Sequence, residues 1–128
     1  MRLLLDTHTF LWFIIGSPKL SEKARALIED TTNERLLSTA SLWEIAIKHS
    51  LGKLTLSQPF EILIPQQLER NNVETLHVTM AHLSVVATLP FHHRDPFDRL
   101  LVAQAAVERL SVLSIDSAFD AYAVERLW

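Results

Sequence analysis

The segment Arg2-Leu3-Leu4-Leu5-Asp6 decides the fold class. Its continuous apolar run is typical of a strand that is buried on both faces, and a helix-compatible stretch, Thr7 to Ile15, follows it without a break. A buried strand that leads directly into a helix is the repeating unit of parallel α/β sheets. The segment therefore predicts an α/β fold.

The rest of the chain repeats this alternation of short apolar runs and amphipathic stretches. It predicts further strands at residues 36–38, 73–78 and 111–115, and helices at residues 22–30, 42–51, 59–70, 80–88 and 95–110. Thr39 or Ser41 can cap the helix at 42–51. Pro65 lies inside the helix at 59–70, where a proline can kink or split a helix. The order of elements predicts a three-layer sandwich, a central and mostly parallel sheet flanked by helices, in a single domain spanning residues 1–128.

Composition limits the class of protein. With 128 residues, of which 48% are apolar, the chain is long enough to build one hydrophobic core. The formal net charge of -3 indicates no strongly basic surface, and the absence of cysteine excludes disulfide scaffolds, Cys-ligated metal sites and thiol catalysis. The apolar run at residues 10–15 is too short to span a bilayer, so we expect a soluble cytoplasmic protein without a removed leader. The mean hydropathy of +0.16 is high for a small monomer and predicts that a second chain covers part of the surface.

Acidic residues recur where the predicted strands end. Asp6 follows the first strand, Asp116 follows the last, and the helix after the third strand opens with Asp95-Pro96-Phe97-Asp98. Glu44 is the only charge in the apolar stretch 42–47. Because ligands collect at the carboxyl ends of parallel strands, we expect these acids to share one edge of the sheet. Their mutual repulsion needs a compensating cation, and a set of oxygen ligands favours Mg²⁺ or Mn²⁺, which support phosphodiester hydrolysis.

Each acid also has a structural explanation of its own. Aspartate is a favoured N-cap, so Asp6, Asp95 and Asp116 could each do no more than cap a helix. Glu44 could form a solvent-exposed i,i+4 pair with Lys48. On this alternative the chain is a non-catalytic subunit whose exposed helices bind a partner.

Four segments together carry a resemblance to a known family, and they follow one another along essentially the whole chain: Leu3 to His8, Ser41 to Lys48, His93 to Ala105 and Leu113 to Asp116. They resemble the PIN-domain ribonucleases and, within them, the VapC-like toxins of type II toxin-antitoxin systems. The resemblance implies a PIN-like sandwich and an endoribonuclease that hydrolyses RNA with water activated by Mg²⁺ or Mn²⁺. It also implies a homodimer and a cognate antitoxin protein. The toxin would associate with DNA only indirectly, through that antitoxin. We expect the helices at 21–30 and 39–51, with Trp12 or Trp43 nearby, to form the antitoxin groove.

The resemblance assigns the catalytic and metal-binding roles to four acids: Asp6, Glu44, Asp98 and Asp116. It favours Asp98 over Asp95, which is left as a helix cap. Thr7 and Ser114 stand where their hydroxyls could hydrogen-bond these carboxylates.

Cations and histidines near the motifs suggest how RNA could be bound. Lys48, Arg94 and Arg99 are candidates for contacts with RNA phosphates. The pair His92-His93 could touch RNA or line a loop, and no histidine pair has the i,i+4 spacing that a zinc site uses. A haloacid-dehalogenase-like phosphatase is a weaker alternative, because the second aspartate of that class, two residues after the first, is His8 here.

Overall fold

Strands and helices alternate along the chain as the sequence predicts. A computed structural model describes residues 1–128, with strands β1 Arg2–Leu5, β2 Glu34–Ser38, β3 Glu74–Leu76, β4 Ser111–Leu113 and β5 Arg126–Leu127. The helices are α1 Thr7–Ile15, α2 Glu22–Glu29, α3 Thr39–Ser50, α4 Phe60–Arg70, α5 Met80–Thr88 and α6 Pro96–Glu108, and a short 3-10 helix spans Ser117–Ala121. None of these helices combines the length and the apolar character needed to cross a membrane.

All neighbouring strands pair in parallel, and they form one sheet in the order β3-β2-β1-β4-β5. The central strand β1 is covered on both faces, because successive side chains of a strand point to opposite sides. Leu5 packs with Phe10 of α1 and Ile45 of α3, whereas Leu4 packs with Leu101 of α6. The predicted α/β sandwich with a parallel sheet is confirmed.

The strand order reverses between β1 and β4, since the chain builds β2 and β3 on one side of β1 and then crosses to the other side. Loops that follow the two strands at such a reversal diverge and leave a crevice at the carboxyl edge of the sheet. The first and the last of the predicted acids, Asp6 and Asp116, follow these two strands. The topology therefore brings the two ends of the chain to one crevice.

Several predicted boundaries are wrong. Helix α3 begins at Thr39 and is capped by the Ser38 side chain, not by Thr39 or Ser41, because β2 leads into it without a loop. The predicted helix at 59–70 is confirmed as α4, Phe60–Arg70. It continues through Pro65, since the proline removes one backbone donor on the exposed face while Leu63 and Ile64 anchor the helix in the core.

The strands at the carboxyl-terminal end also differ from the prediction. Strand β4 ends at Leu113, two residues before its predicted end, so Asp116 lies in the following turn. Strand β5 was not predicted, because two residues are too few to display an alternating pattern.

Candidate active site

A polar cleft of about 230 Å³ opens at the carboxyl ends of β1 and β4, between the middle of α3 and the first turn of α6. The four predicted acids, which come from four separate segments, all line it. Its lining residues are Asp6, Thr7, His8, Glu44, Lys48, His93, Asp95, Asp98, Ile115 and Asp116. The cleft therefore gathers five carboxylates, two histidines and one lysine around a single space.

Asp6 is fixed at the centre of the cleft by hydrogen bonds to both of its oxygens. Its Oδ1 accepts from the backbone N–H of Thr9 at 2.8 Å and so caps α1, while its Oδ2 accepts from the Ser114 hydroxyl at 2.5 Å. The Ser114 Oγ in turn accepts from the backbone N–H of Asp116 at 3.0 Å. Asp6 is thus a helix cap and a cleft residue at once, and one hydroxyl links it to the turn that carries Asp116.

Glu44 is buried, although it lies on a helix near the surface. Its Oε1 accepts from the Thr7 hydroxyl at 2.5 Å, and its Oε2 lies 3.1 Å from Lys48 Nζ. The i,i+4 pair considered in the sequence is therefore present, but it faces the cleft instead of open solvent. Thr7 contacts Glu44 and Ser114 contacts Asp6, so both predicted hydroxyls lie against cleft carboxylates.

Asp98 and Asp116 meet at a histidine. Nε2 of His93 lies 3.0 Å from Oδ2 of Asp98 and 3.3 Å from Oδ2 of Asp116. The sequence considered His93 only as an RNA contact or a loop residue and missed this position. The available signal was its place two residues before Asp95, whose side chain caps α6 through the backbone N–H groups of Phe97 and Asp98.

The carboxylates crowd one another enough to change the protonation of Asp98. Burial and the nearby charge of Asp95 raise the pKa of Asp98 to about 7, against the opposing effect of His93. The charges of Asp6 and Glu44 contribute smaller parts of this same rise in the pKa of Asp98. Carboxylate oxygens that repel one another in a partly buried cleft are the ligand set that a hard divalent cation such as Mg²⁺ or Mn²⁺ prefers.

This crowding predicts that the metal-free protein loses stability as the pH rises. Because folding raises the pKa of Asp98 from 3.8 to about 7, the folded state binds this proton more tightly than the unfolded state. The resulting stability is fully present below about pH 4 and is lost as the pH rises to about 7, at a cost on the order of a few kcal/mol. We expect the Tm in chelator to fall across this window and Mg²⁺ or Mn²⁺ to raise it again near neutral pH. A Tm that neither falls with pH nor responds to the ions would contradict the crowding.

The three predicted phosphate-binding cations have different surroundings. Lys48 lines the cleft, and Arg94 is exposed on the loop beside His93. The interpretation of Arg99 as a phosphate contact is wrong, because its guanidinium is buried and donates to the carbonyls of Pro90 at 2.8 Å and Leu89 at 3.1 Å.

An apolar groove lies beside helices other than the two predicted to bind the antitoxin, and the binding of an antitoxin to α2 and α3 stays a prediction. This groove of about 350 Å³ runs between α1, the segment 54–57 and α4, so α2 and α3 contribute none of its lining. Trp12 packs edge-on against Trp128 at 6.0 Å between ring centroids. Trp43 is 64% exposed on α3, where it contacts Phe97 of α6 at 5.4 Å. The groove is lined by Leu11, Ile14, Ile15, Leu54, Thr55, Leu56, Ser57, Leu63 and Gln67.

Comparison with known proteins gives consistent results. A family model described as "PIN domain" matches residues 3–125. Ribonuclease VapC16 of Mycobacterium tuberculosis (strain ATCC 25618 / H37Rv) is 41% identical over 69 residues, which are 51% of this chain and 49% of that protein. The match thus spans about half the length of the curated relative.

Solved structures resemble the chain over nearly its full length. VapBC2 from Rickettsia felis, bound to a DNA fragment from its promoter, has a TM-score of 0.72 at 14% identity and covers 99% of this chain and 98% of that chain. A toxin-antitoxin complex from Klebsiella pneumoniae has a TM-score of 0.64 at 12% identity and covers 98% of this chain and 96% of that chain. At these identities the likeness establishes the fold.

Proposed function

This chain belongs to the PIN domain family, and on that basis we propose that it is a metal-dependent endoribonuclease, the toxin of a toxin-antitoxin pair. The observation that supports this most strongly is the convergence of four acids from distant segments on one cleft at the strand reversal. These acids are Asp6, Glu44, Asp98 and Asp116. The name of the mycobacterial relative favours RNA as the substrate.

The chain's own residues would prepare the cleft for a divalent ion. Asp6, Asp98 and Asp116 would hold the ion, and Glu44 would complete the acidic set. When bound, Mg²⁺ or Mn²⁺ supplies a charge that offsets the phosphate and activates water for attack on the phosphodiester. The hydroxyls of Thr7 and Ser114 keep the carboxylates of Glu44 and Asp6 in fixed orientations, so little reorganisation is needed.

RNA would approach the cleft along its cationic side chains. Lys48 is oriented by its contact with Glu44, and its ammonium therefore stays at the edge of the acidic cluster. Arg94 is exposed on the loop that precedes α6, so its guanidinium is available for a contact with an RNA phosphate. We propose that Lys48 and Arg94 contact RNA phosphates and that the substrate is RNA in the cytoplasm.

Partner proteins would bind the apolar surfaces of the chain. The apolar groove between α1 and α4 is suited to the apolar face of a helix, and we propose that the cognate antitoxin binds there. Large apolar side chains are also exposed elsewhere, and they support a homodimer. Among them are Trp43, Ile62, Met80, Leu83 and Phe91.

Expression of the chain without an antitoxin tests this function. We expect the wild-type chain to arrest growth and to create new RNA 5′ ends at a defined site, because the four acids would support hydrolysis. Asp98→Ala is expected to create none, whereas Glu29→Ala, which removes an exposed acid of α2 outside the cleft, should behave as wild type. Sequencing of RNA ends is the measurement. Identical ends with Asp98→Ala, or no new ends with any variant, would reject the proposal.

A further inference from the structure

His93 is a cleft residue to which the proposed chemistry gives no role. Its side chain is 16% exposed and lies between Asp98 and Asp116, which follow it on α6 and after β4. We infer that His93 is a positioning residue whose Nε2–H donates to both carboxylates and holds them together at the separation at which they bind a divalent ion. This inference rests on the proposed function and deepens it.

The hydrogen bond at the other ring nitrogen decides which nitrogen carries the proton. Nδ1 of His93 lies 3.1 Å from the backbone nitrogen of Asp95, and a backbone N–H can only donate. Nδ1 therefore accepts with its lone pair, and the ring proton is on Nε2. The nitrogen that faces Asp98 and Asp116 is thus a donor, and a protonated nitrogen has no lone pair for a metal ion.

The ring is held in this orientation by the residues around it. The backbone N–H of His93 donates to the Tyr122 hydroxyl at 2.9 Å, and that hydroxyl donates to the Pro90 carbonyl at 2.8 Å. Asp95 fixes the ring through its backbone N–H and fixes the start of α6 through its side chain. The donor and the Asp98 backbone are therefore anchored to the same residue.

A shared donor solves a problem that the two acids create. Two carboxylates that approach one another repel, and each would rotate away if nothing held it. Each carboxylate oxygen has two lone pairs, so Oδ2 of Asp98 or Asp116 can accept from His93 and still offer a lone pair to an ion. Outer hydrogen bonds of this kind orient metal ligands and strengthen metal binding.

The first test needs neither a metal nor RNA. Side-chain ¹⁵N NMR of the protein in chelator, with His93→Gln to assign the signals, reports the protonation of each ring nitrogen. We expect a protonated Nε2 and an unprotonated Nδ1 for His93. The opposite arrangement would overturn the inference, whether or not the protein cleaves RNA.

The second test measures Mn²⁺ affinity by calorimetry. His93→Ala is expected to weaken Mn²⁺ binding by about 10- to 100-fold, because the two carboxylates lose their common donor. His93→Gln retains an amide donor and should recover most of the affinity. His92→Ala is the matched control, since His92 packs against the Tyr122 ring at 5.2 Å and does not line the cleft. Unchanged or tighter binding by His93→Ala would overturn the inference.

Pulsed electron paramagnetic resonance of the Mn²⁺ complex separates a positioning role from direct coordination. We expect the wild-type and His93→Gln complexes to show the same nitrogen coordination of Mn²⁺. A coordinated nitrogen that is present in wild type and absent in His93→Gln would identify His93 as a metal ligand and overturn the inference. A wild-type protein that binds no Mn²⁺ would overturn both the metal site and this role. A protein that binds Mn²⁺ with the expected His93 dependence but cleaves no RNA would support this role and reject only the nuclease function.

Discussion

Asp98→Asn is expected to abolish RNA cleavage and, in chelator near neutral pH, to make the protein more stable than wild type. Both effects have one cause. The carboxylate of Asp98 is partly buried among other acids, which raises its pKa to about 7, so its ionised form destabilises the metal-free fold. Asparagine keeps the size of the side chain and removes its charge. The gain in the free energy of unfolding should be on the order of a few kcal/mol at neutral pH and should vanish near pH 4.

Asp95→Asn is the matched control for this substitution. Asp95 precedes Asp98 by three residues, and it caps α6, a position at which asparagine is as good as aspartate. We expect this variant to remain folded and to keep most of its cleavage activity. Urea denaturation in chelator at several pH values and RNA cleavage with Mg²⁺ are the two measurements. Asp98→Asn that cleaves RNA normally, or Asp95→Asn that is the inactive variant instead, would refute the assignment of the third acid.

Arg99→Ala is expected to lower the free energy of unfolding by about 2–4 kcal/mol. The Arg99 side chain is buried, and its guanidinium donates to the carbonyls of Pro90 and Leu89. The guanidinium also lies 4.0 Å from the centroid of the Phe91 ring. The Arg99 side chain therefore contacts three consecutive residues, 89–91, of the segment between α5 and α6. Alanine would leave the carbonyls without a partner and release the segment that leads to His93.

The comparison for Arg99 is a neighbouring arginine that makes no such contacts. Arg94 is exposed, so Arg94→Ala should change the free energy of unfolding by less than about 0.5 kcal/mol. We expect it to weaken RNA binding instead. Urea denaturation and binding of labelled RNA by both variants decide the matter. If Arg99→Ala were as stable as wild type and bound RNA poorly, Arg99 would have to be returned to the substrate-binding residues.

The sequence predicts the fold well because its strongest signals are local. The run Leu3-Leu4-Leu5 indicates a strand covered on both faces, and the predicted cap at Asp95, which is confirmed, marks where α6 begins. The predicted start of α3 is wrong because the strand passes directly into the helix at Ser38, and no turn residues mark the junction.

The cleft could be predicted only in part. The convergence of Asp6 and Asp116 can be predicted from the sequence, because both residues follow parallel strands of the same sheet. The burial of Arg99 and the contacts of His93 depend on how the segment between α5 and α6 packs against Tyr122, and no pattern along the chain reports that packing. The catalytic and metal-binding roles of the four acids remain predictions.

Cleavage of RNA by the purified chain, with its divalent ions first removed and then returned, tests the central proposal most directly. We predict no cleavage in excess chelator and full recovery when Mg²⁺ or Mn²⁺ is added in excess. Asp98→Asn should stay inactive at every ion concentration. Cleavage that continues at the wild-type rate in chelator would contradict the proposal that these acids act through a bound divalent ion.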